Sequence, residues 1–351
     1  MPIITILRGA RELAKLIVAT GLMVSLAVSA ALADINIYSY RQPDLLAPLL
    51  AKFTEQTGIQ TRVLFANKGL EDRISVEGAN SPADLLLTTD IGKLDQAKAL
   101  GIAAPVTSDV IGEAVPEAFR DPDGMWFGLS LRARVVYASL DRTSAQNLSY
   151  ADLADPKWAG RICTRSGQHP YNIGLIASII AKDGVDEARA WLEGVRDNLA
   201  RKPTGNDRAQ VKAIYSGECD ISIGNTYYMG LMQTNTKDPE QQDWAGAVQL
   251  IFPTHGNGKT HVNLSGMVLA KHAPNRAEAI KLMEFLVSDE AQAIYAEVNH
   301  EYPVKPGIAA SERVVSWGSL VADDLPLAEI ARLRKEASRL VDTVAFDAGP
   351  Q

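Results

Sequence analysis

The chain has 351 residues, which is enough for two domains of ordinary size. Hydrophobic residues make up 46% of it and charged residues 22%, as is typical of a soluble globular protein. The formal net charge is -7, and an acidic protein of this kind is a poor candidate for binding nucleic acid.

Residues 1–33 differ from the rest of the chain and predict an export signal. Three basic residues precede an apolar run over 16–32, which ends in the small-x-small pattern Ala31-Leu32-Ala33 of a signal-peptidase site. A retained membrane anchor is the alternative, but so short a run before such a site is more typical of a cleaved signal. Cleavage would leave 32 basic and 41 acidic residues of the original 35 and 42, so the mature net charge would be 32 minus 41, or -9.

Strand and helix patterns alternate from the start of the mature chain. Strands are predicted over 35–38, 61–65 and 84–87. Helices are predicted over 45–53 and 90–100, and a further helix between them is predicted to end at about 77. This alternation indicates an α/β architecture in which the strand ends form the natural ligand face. Arg41 and residues 88–90 fall at such strand ends.

Two long strand patterns divide the remainder of the chain. Residues 126–137 contain no strand breaker after Gly128, and a strand of that length can cross between domains. Residues 261–269 predict a second crossing strand, which returns to the first domain. A second α/β series lies between the two. A long helix over 274–298 and a final helix over about 325–341, packed on the second domain, follow them.

An apolar strand at 221–223 leads to two adjacent tyrosines, Tyr227 and Tyr228. Neighbouring side chains of a strand point to opposite faces, so two phenols on one strand could not both reach one ligand. Gly224 ends the strand pattern, and Thr226 indicates a helix start, where neighbouring side chains are only about 100° apart. The two phenols are therefore expected to converge.

Tyr171 lies in a similar context, because Pro170 precedes it and an apolar helical run over 173–177 follows it. Three phenols at loop-to-helix junctions indicate a cluster of hard oxygen donors. The alternative for each is the ordinary role of tyrosine, a half-buried packing residue with a wet hydroxyl. The adjacent pair favours a ligand role, since two packing tyrosines would both need the core where the strand ends.

The sequence contains only two cysteines, Cys163 and Cys219. In the oxidising compartment that an export signal implies, they are expected to form one disulfide, and two free buried thiols are the alternative. The bridge would join the strand before Tyr171 to the strand before Tyr227.

Common catalytic motifs are incomplete or absent. Residues 256–260 are similar to the end of a phosphate-binding loop, but Pro253 stands where the first glycine is required, which favours a polar hairpin turn. The sequence has no H-E-x-x-H, C-x-x-C or G-x-S-x-G motif, so zinc and serine-hydrolase chemistry lack support.

Seven short motifs lie along nearly the whole mature chain. They are YSYRQP at 38–43, FANKGL at 65–70, SPADLLLT at 81–88, WFGLSLRAR at 126–134, HPYN at 169–172, GECD at 217–220 and NTYY at 225–228. Together they resemble the sequences of periplasmic ferric-iron-binding proteins, the substrate-binding components of bacterial iron ABC importers.

This resemblance implies an α/β fold with two lobes, a type II periplasmic binding protein of the venus-flytrap kind with two crossing strands. The N-terminal lobe would comprise residues 34–132 and 266–310, and the C-terminal lobe residues 133–265 and 311–351. The protein would be a periplasmic monomer that delivers iron to a membrane ABC permease, with no catalysis, no nucleic-acid partner and no membrane insertion after signal cleavage.

The resemblance also implies that Tyr171, Tyr227 and Tyr228 ligate Fe(III), with Asn172 close to the metal shell. Fe(III) is a hard cation that prefers anionic oxygen. A free phenol has a pKa near ~10, so the charge of the metal would have to be the main cause of deprotonation at neutral pH.

One motif departs from part of the family. Some relatives carry a histidine-tyrosine pair where this chain has Gln42 and Pro43, so the first lobe supplies no strong metal donor unless Tyr40 contributes. The chain therefore resembles the subgroup with tyrosine-only sites completed by a small anion such as carbonate. Tyr38 and Tyr40 alternate along a strand, and Tyr40 is expected to face the cleft, with a packing role as the alternative.

A bound dianion would leave about two negative charges beside three phenolates and Fe(III). We expect Arg41 and Arg132 to match them, because the arginine fork binds a planar oxyanion through two hydrogen bonds. A surface ion pair is the alternative for each arginine.

Two other functions stay open at this point. The same scaffold could bind another small solute, such as an organic anion, a phosphonate or a polyamine, although none of these needs a tyrosine pair. A metalloenzyme with tyrosinate-bound iron belongs to a different class, and the sequence shows no candidate base beside the tyrosines.

Overall fold

The computed structural model describes residues 34–351, so the predicted export signal at 1–33 lies outside the described residues. Strands and helices alternate in the first part of the described chain, as predicted. These elements are β1 (Ile35–Ser39), α1 (Pro43–Thr57), β2 (Thr61–Phe65), α2 (Leu70–Glu77), β3 (Leu85–Thr88), α3 (Ile91–Ala99), α4 (Asp109–Ala114) and β4 (Phe127–Ser139).

The rest of the chain also mixes strands and helices, without strict alternation. The remaining elements are β5 (Ile162–Cys163), α5 (Pro170–Asp183), α6 (Val185–Asp197), α7 (Asp207–Tyr215), β6 (Ile221–Asn225), α8 (Tyr227–Gln233), α9 (Glu240–Gly246), β7 (Val248–Ile251), β8 (Val262–Leu269), α10 (Arg276–Leu286), α11 (Asp289–Asn299), β9 (Tyr302–Pro303), α12 (Glu312–Val315) and α13 (Leu327–Thr343).

The strands pair in the order β2-β1-β3-β8-β4-β6-β5, and β7 and β9 also pair with β4. Strand β1 is parallel to β2 and β3, and β5 is parallel to β6, whereas β8 is antiparallel to β3 and β4. The strands before β4 thus form one group with β8, and β5, β6 and β7 form a second group.

Strand β4 joins the two groups, which confirms the predicted crossing strand. Its residues 127–133 pair with β8, and residues 134–139 pair with β6 and β7. All 13 of its residues are buried, including Arg132 and Arg134. Strand β8 begins at this junction, with Val262 opposite Ala133, and runs from there among the strands of the first group.

Helix α1 begins four residues after the end of β1 and fixes the short segment between them. Pro43 occupies its first position, where a missing N–H costs nothing, and Gly58 ends the helix at a φ of 73°. The predicted apolar stripe is buried at Leu46, Leu49, Leu50 and Phe53. Arg41 is therefore held between the end of β1 and the start of a firmly packed helix.

The prediction of a single helix over 274–298 is wrong, because the structure has two helices there. Helix α10 ends at Leu286, and Ser288 then caps α11 by accepting a hydrogen bond from the backbone N–H of Ala291 at 3.2 Å. Asp289 and Glu290 in the first turn of α11 add favourable charge at its N-terminus. The apolar spacing continued across this cap and concealed it.

The disulfide prediction is confirmed, since Cys163 and Cys219 are bonded. The bond lies where β5 and β6 run parallel, so it fixes the two strands that lead to the tyrosine-bearing helices. The final helix, α13, packs on α5 as expected and also contacts α3. None of the helices in residues 34–351 is long and apolar enough to cross a membrane.

Candidate metal centre

Tyr171 lies in the first turn of α5. His169 is the N-cap residue, and its Nδ1 accepts a hydrogen bond from the backbone N–H of Tyr171 at 3.2 Å, while Pro170 occupies the first helical position. Burial, with Arg165 and Arg134 nearby, lowers the pKa of His169 to about 3. This cap requires a neutral imidazole ring, because a protonated Nδ1 could not accept the hydrogen bond from Tyr171.

Tyr227 and Tyr228 are the first two residues of α8, as the sequence predicts. Thr226 does not cap this helix with its side chain. Its Oγ1 instead accepts from the backbone N–H of Ala133 at 3.3 Å, and its own N–H donates to the Ala133 carbonyl at 3.1 Å. The start of α8 is therefore fixed to the middle of β4.

The three phenols converge. The hydroxyl oxygens of Tyr171 and Tyr227 lie 3.2 Å apart, and the rings of Tyr227 and Tyr228 have centroids 4.3 Å apart. Burial raises the pKa of Tyr227 well above its ordinary value, and charge on Tyr171 or Tyr228 would raise it further. Burial, followed by the negative charge of Asp207, also raises the pKa of Tyr228. Both phenols are thus neutral at neutral pH until a cation compensates their charge.

The phenols line a cavity of about 240 Å³ together with Tyr40, Arg41 and Arg132. The lining also contains five polar residues that were not among the predicted site residues, which are Gln42, Thr89, Arg208, Asn299 and Glu301. A larger cavity of about 750 Å³, lined in part by His255, contains none of the predicted site residues. The smaller cavity is the better candidate site, because it brings several hard oxygen donors to one place.

Tyr40 faces this cavity and Tyr38 does not, in agreement with their predicted alternation. The Tyr40 hydroxyl donates to the Glu71 carboxylate and accepts from the backbone N–H of Leu70 at 2.9 Å. The Tyr38 hydroxyl bonds Glu77 at 3.0 Å instead. Tyr40 is therefore hydrogen-bonded to the start of α2, and it lies in the cavity wall.

Arg41 and Arg132 both line the cavity, but they are buried and paired with a carboxylate that the sequence analysis missed. Glu301 accepts from Arg41 at 2.8 Å and lies 3.6 Å from Arg132. Ser265 accepts hydrogen bonds from both arginines. We call these three ionised residues the Arg41–Glu301–Arg132 group, and its net charge is one positive rather than the two expected from the arginines alone.

Glu301 is fully buried between its partners. Burial alone would raise the pKa of Glu301, but Arg132 and Arg41, with a hydrogen bond from Ser130, lower it below the ordinary value. Local sequence patterns do not indicate this pairing. Glu301, which lies just after α11, is 260 residues from Arg41 in the chain, so no local spacing connects the two.

Asn172 does not line the cavity, although it follows Tyr171 directly. Its side-chain oxygen accepts from Arg134 at 2.6 Å, and its amide donates to the carbonyls of Arg165 and Ser166 at 3.1 Å. Asn172 thus holds the segment before α5 and an arginine behind the tyrosines.

Replacing Glu301 by Gln should lower the free energy of unfolding by about 3–5 kcal/mol at neutral pH, because two buried guanidinium groups lose their counter-charge. The depressed pKa means that this contribution is present above the ordinary glutamate pKa of about 4.3 and is lost as the pH falls through the folded value. Urea unfolding of parent and Glu301→Gln should therefore give a difference that shrinks in acid.

Glu312→Gln provides the control for that series, because Glu312 is an exposed acid. Its free energy of unfolding should follow that of the parent at every pH. A difference between parent and Glu301→Gln that stayed constant from neutral to acid pH would show that the carboxylate charge is not what stabilises the group.

The sequence and structure were compared with those of known proteins. The model of the bacterial extracellular solute-binding proteins matches residues 80–321. Iron uptake protein A1 of Synechocystis sp. is 43% identical over 315 residues, which cover 89% of this chain and 87% of that protein.

Two solved structures are also similar. Ferric iron-binding protein A of Mannheimia haemolytica, in an open conformation, has a TM-score of 0.86 and 47% identity over 90% of this chain and 99% of that one. A Trichodesmium protein solved with iron and citrate ligands has a TM-score of 0.86 and 40% identity over 90% of this chain and 100% of that one. The chain belongs to the family of bacterial extracellular solute-binding proteins, among its iron uptake and ferric iron-binding members, and has their two-lobed fold.

Proposed function

We propose that this protein captures ferric iron in the periplasm and delivers it to the membrane permease of an ABC importer. The observation that carries the proposal is the convergence of Tyr171, Tyr227 and Tyr228 on one cavity, with two of their hydroxyl oxygens 3.2 Å apart. The printed names of the relatives, which refer to iron uptake and ferric iron binding, support the same metal.

The three tyrosines are proposed as the metal ligands. Their phenolates would offer three hard anionic oxygens, which balance the charge of Fe(III). The raised pKa of Tyr227 and of Tyr228 means that the metal displaces their protons, so binding is coupled to proton release. Asn172 acts indirectly, through the contacts that hold the start of α5.

A small anion such as carbonate is proposed to complete the iron coordination. The Arg41–Glu301–Arg132 group leaves one positive charge on the cavity wall, which suits an oxyanion. The Trichodesmium relative was solved in complex with iron and citrate ligands, which supports an oxygen-rich anion as the chemical class. An anion bound to the metal and to Arg41 would bridge the cavity.

The lobes are proposed to comprise 34–132 with 266–310 and 133–265 with 311–351. The three phenols then belong to the C-terminal lobe, and Arg41 and Tyr40 to the N-terminal lobe. A ligand can shift an open-closed equilibrium only through contacts that differ between the two states, and a bridging anion supplies such contacts. We further propose that the protein acts as a monomer that presents its closed form to the permease.

A binding role is favoured over catalysis by the lining of the cavity. In the part of the chain that the structure describes, the only carboxylate in that lining is Glu301, and both of its arginine partners hold it. Histidine and carboxylates are the commonest general bases, and tyrosine can also serve, but three of the lining phenols are assigned here to the metal. The lining therefore supports metal binding better than acid–base catalysis.

Phenylalanine at position 171, 227 or 228 should weaken Fe(III) binding by about 3–5 kcal/mol, because each change removes one charged donor and leaves the metal charge uncompensated. Visible absorption of the iron-loaded protein should fall with each change, since the colour arises from phenolate-to-Fe(III) charge transfer. Competition against a soluble chelator measures the affinity.

Tyr215→Phe is the matched control, because Tyr215 is 48% exposed and lies outside the cavity. It should keep both the colour and the affinity of the parent. The ligand assignment would be refuted if the three cavity variants also behaved like the parent.

Arg41→Ala should reduce iron affinity much more with bicarbonate present than under carbonate exclusion, because the arginine acts through the anion. The charge-transfer colour should persist, since all three phenols remain. Arg62→Ala is the control, because Arg62 belongs to an exposed ion pair on the neighbouring strand β2. Equal losses for Arg41→Ala under both conditions would rule out the bridging anion.

A further inference from the structure

A second group of two arginines and one carboxylate lies behind the tyrosines. Oδ2 of Asp207 accepts from Arg134 at 2.8 Å and from the backbone N–H of Asn225 at 2.9 Å, and Oδ1 accepts from Arg165 at 3.0 Å. We call it the Arg134–Asp207–Arg165 group. Like the Arg41–Glu301–Arg132 group, it consists of two arginines and one carboxylate.

The group is close to the proposed ligands without being one of them. The guanidinium carbons of Arg165 and Arg134 lie 5.5 and 6.0 Å from the centre of the Tyr171 ring. Asn225, which donates to Asp207, ends the strand that leads into Tyr227. Neither Arg134 nor Arg165 lines the cavity, so their charge reaches the site through the phenol rings and not by contact with a ligand.

Burial makes this charge effective. The side chains of Asp207, Arg134 and Arg165 are 0%, 2% and 11% exposed. Water screens a buried charge weakly, so its field extends further than that of a surface ion pair. With two guanidinium groups around one carboxylate, the Arg134–Asp207–Arg165 group keeps a net charge of one positive.

The Arg134–Asp207–Arg165 group contains one more arginine than a structural ion pair needs. One arginine would neutralise Asp207, and the second adds a buried cation whose own cost must be offset elsewhere. The Nε atoms of Arg134 and Arg165 are both buried with no hydrogen-bond partner, so hydrogen bonding does not fully offset it. Negative charge arriving at the tyrosines would offset it.

We propose that the Arg134–Asp207–Arg165 group assists iron capture as a preformed positive charge. It would stabilise the net negative charge of the bound iron, its three phenolates and the anion. This inference rests on the proposed function. Three phenolates cancel the charge of Fe(III), and a dianion such as carbonate then leaves two negative charges. The Arg41–Glu301–Arg132 group supplies one positive charge at the cavity wall, and the Arg134–Asp207–Arg165 group supplies another from behind Tyr171. Arg208 adds a further cation to the lining.

The test is a series of substitutions that change the charge at position 165. Arg165 is the most exposed of the three residues, and when Arg165 is replaced Asp207 still has Arg134 and the backbone N–H of Asn225 as partners. Arg165→Gln removes the charge and Arg165→Lys keeps it. The matched control is Arg161→Gln. Arg161 and Arg142 bind Asp220 in the same two-to-one arrangement at 2.6 and 2.7 Å, in a partly exposed place outside the cavity lining.

Iron would be supplied as ferric nitrilotriacetate in bicarbonate buffer, with affinity measured by chelator competition and the charge-transfer maximum by visible absorption. Arg165→Gln should bind iron roughly tenfold more weakly, the order expected for one unit charge within about 10 Å at an effective dielectric near 20. Its absorption maximum should move to longer wavelength, because a phenolate that has lost a neighbouring cation gives up its electron more easily.

Arg165→Lys should restore affinity and wavelength, and Arg161→Gln should match the parent in both. Asp207→Asn makes the group more positive and should move the band the opposite way, to shorter wavelength, so the proposal stays testable if Arg165→Gln folds poorly. A folded Arg165→Gln with the parent's band and affinity, or Asp207→Asn shifting in the same direction as Arg165→Gln, would overturn the proposal. A parent protein without any charge-transfer band would instead refute the proposed function.

Discussion

Two buried arginines on one strand impose the main constraint on this structure. Strand β4 is buried along its whole length, yet it carries Arg132 and Arg134, which are 1% and 2% exposed. A buried charge is tolerated only when it is paired and hydrogen-bonded. Each arginine therefore requires a carboxylate from a distant part of the chain, Glu301 for the one and Asp207 for the other.

These pairings bring the functional elements together. Glu301 follows α11 and is linked through Arg41 to the end of β1, whereas Asp207 begins α7 and is linked to the end of β6. The tyrosines lie close to both groups, with the guanidinium carbon of Arg132 5.8 Å from the centre of the Tyr227 ring and that of Arg134 6.0 Å from the centre of the Tyr171 ring. Burial and neighbouring negative charge raise the pKa of Tyr227 and of Tyr228. The proposed binding of iron by these two phenols would therefore exchange protons for metal.

Local sequence patterns were sufficient to predict the tyrosine cluster. A strand that ends in Gly224-Asn225 before Tyr227-Tyr228 and the Pro170-Tyr171 helix start are local signals, and the structure brings these three phenols together. The crossing strand and the disulfide were likewise predictable, the first from its length and the second from the count of two cysteines.

The counter-charges were not predictable in this way. Glu301 lies 169 residues (301 minus 132) from Arg132, and Asp207 lies 73 residues from Arg134. An isolated acidic residue after or at the start of a helix is most often solvated. The pair of helices α10 and α11 was missed for a different reason. Their apolar spacing is continuous, and only the hydrogen bond of Ser288 separates them.

The central claim is that tyrosinate oxygens hold iron in this cavity, and resonance Raman spectroscopy tests it most directly. Excitation into the visible band of the iron-loaded protein enhances the vibrations of groups bound to the absorbing metal. We expect ring vibrations of tyrosinate, and we expect them to shift when the protein is produced with ring-deuterated tyrosine. A coloured iron complex whose enhanced vibrations did not respond to labelled tyrosine would contradict this account.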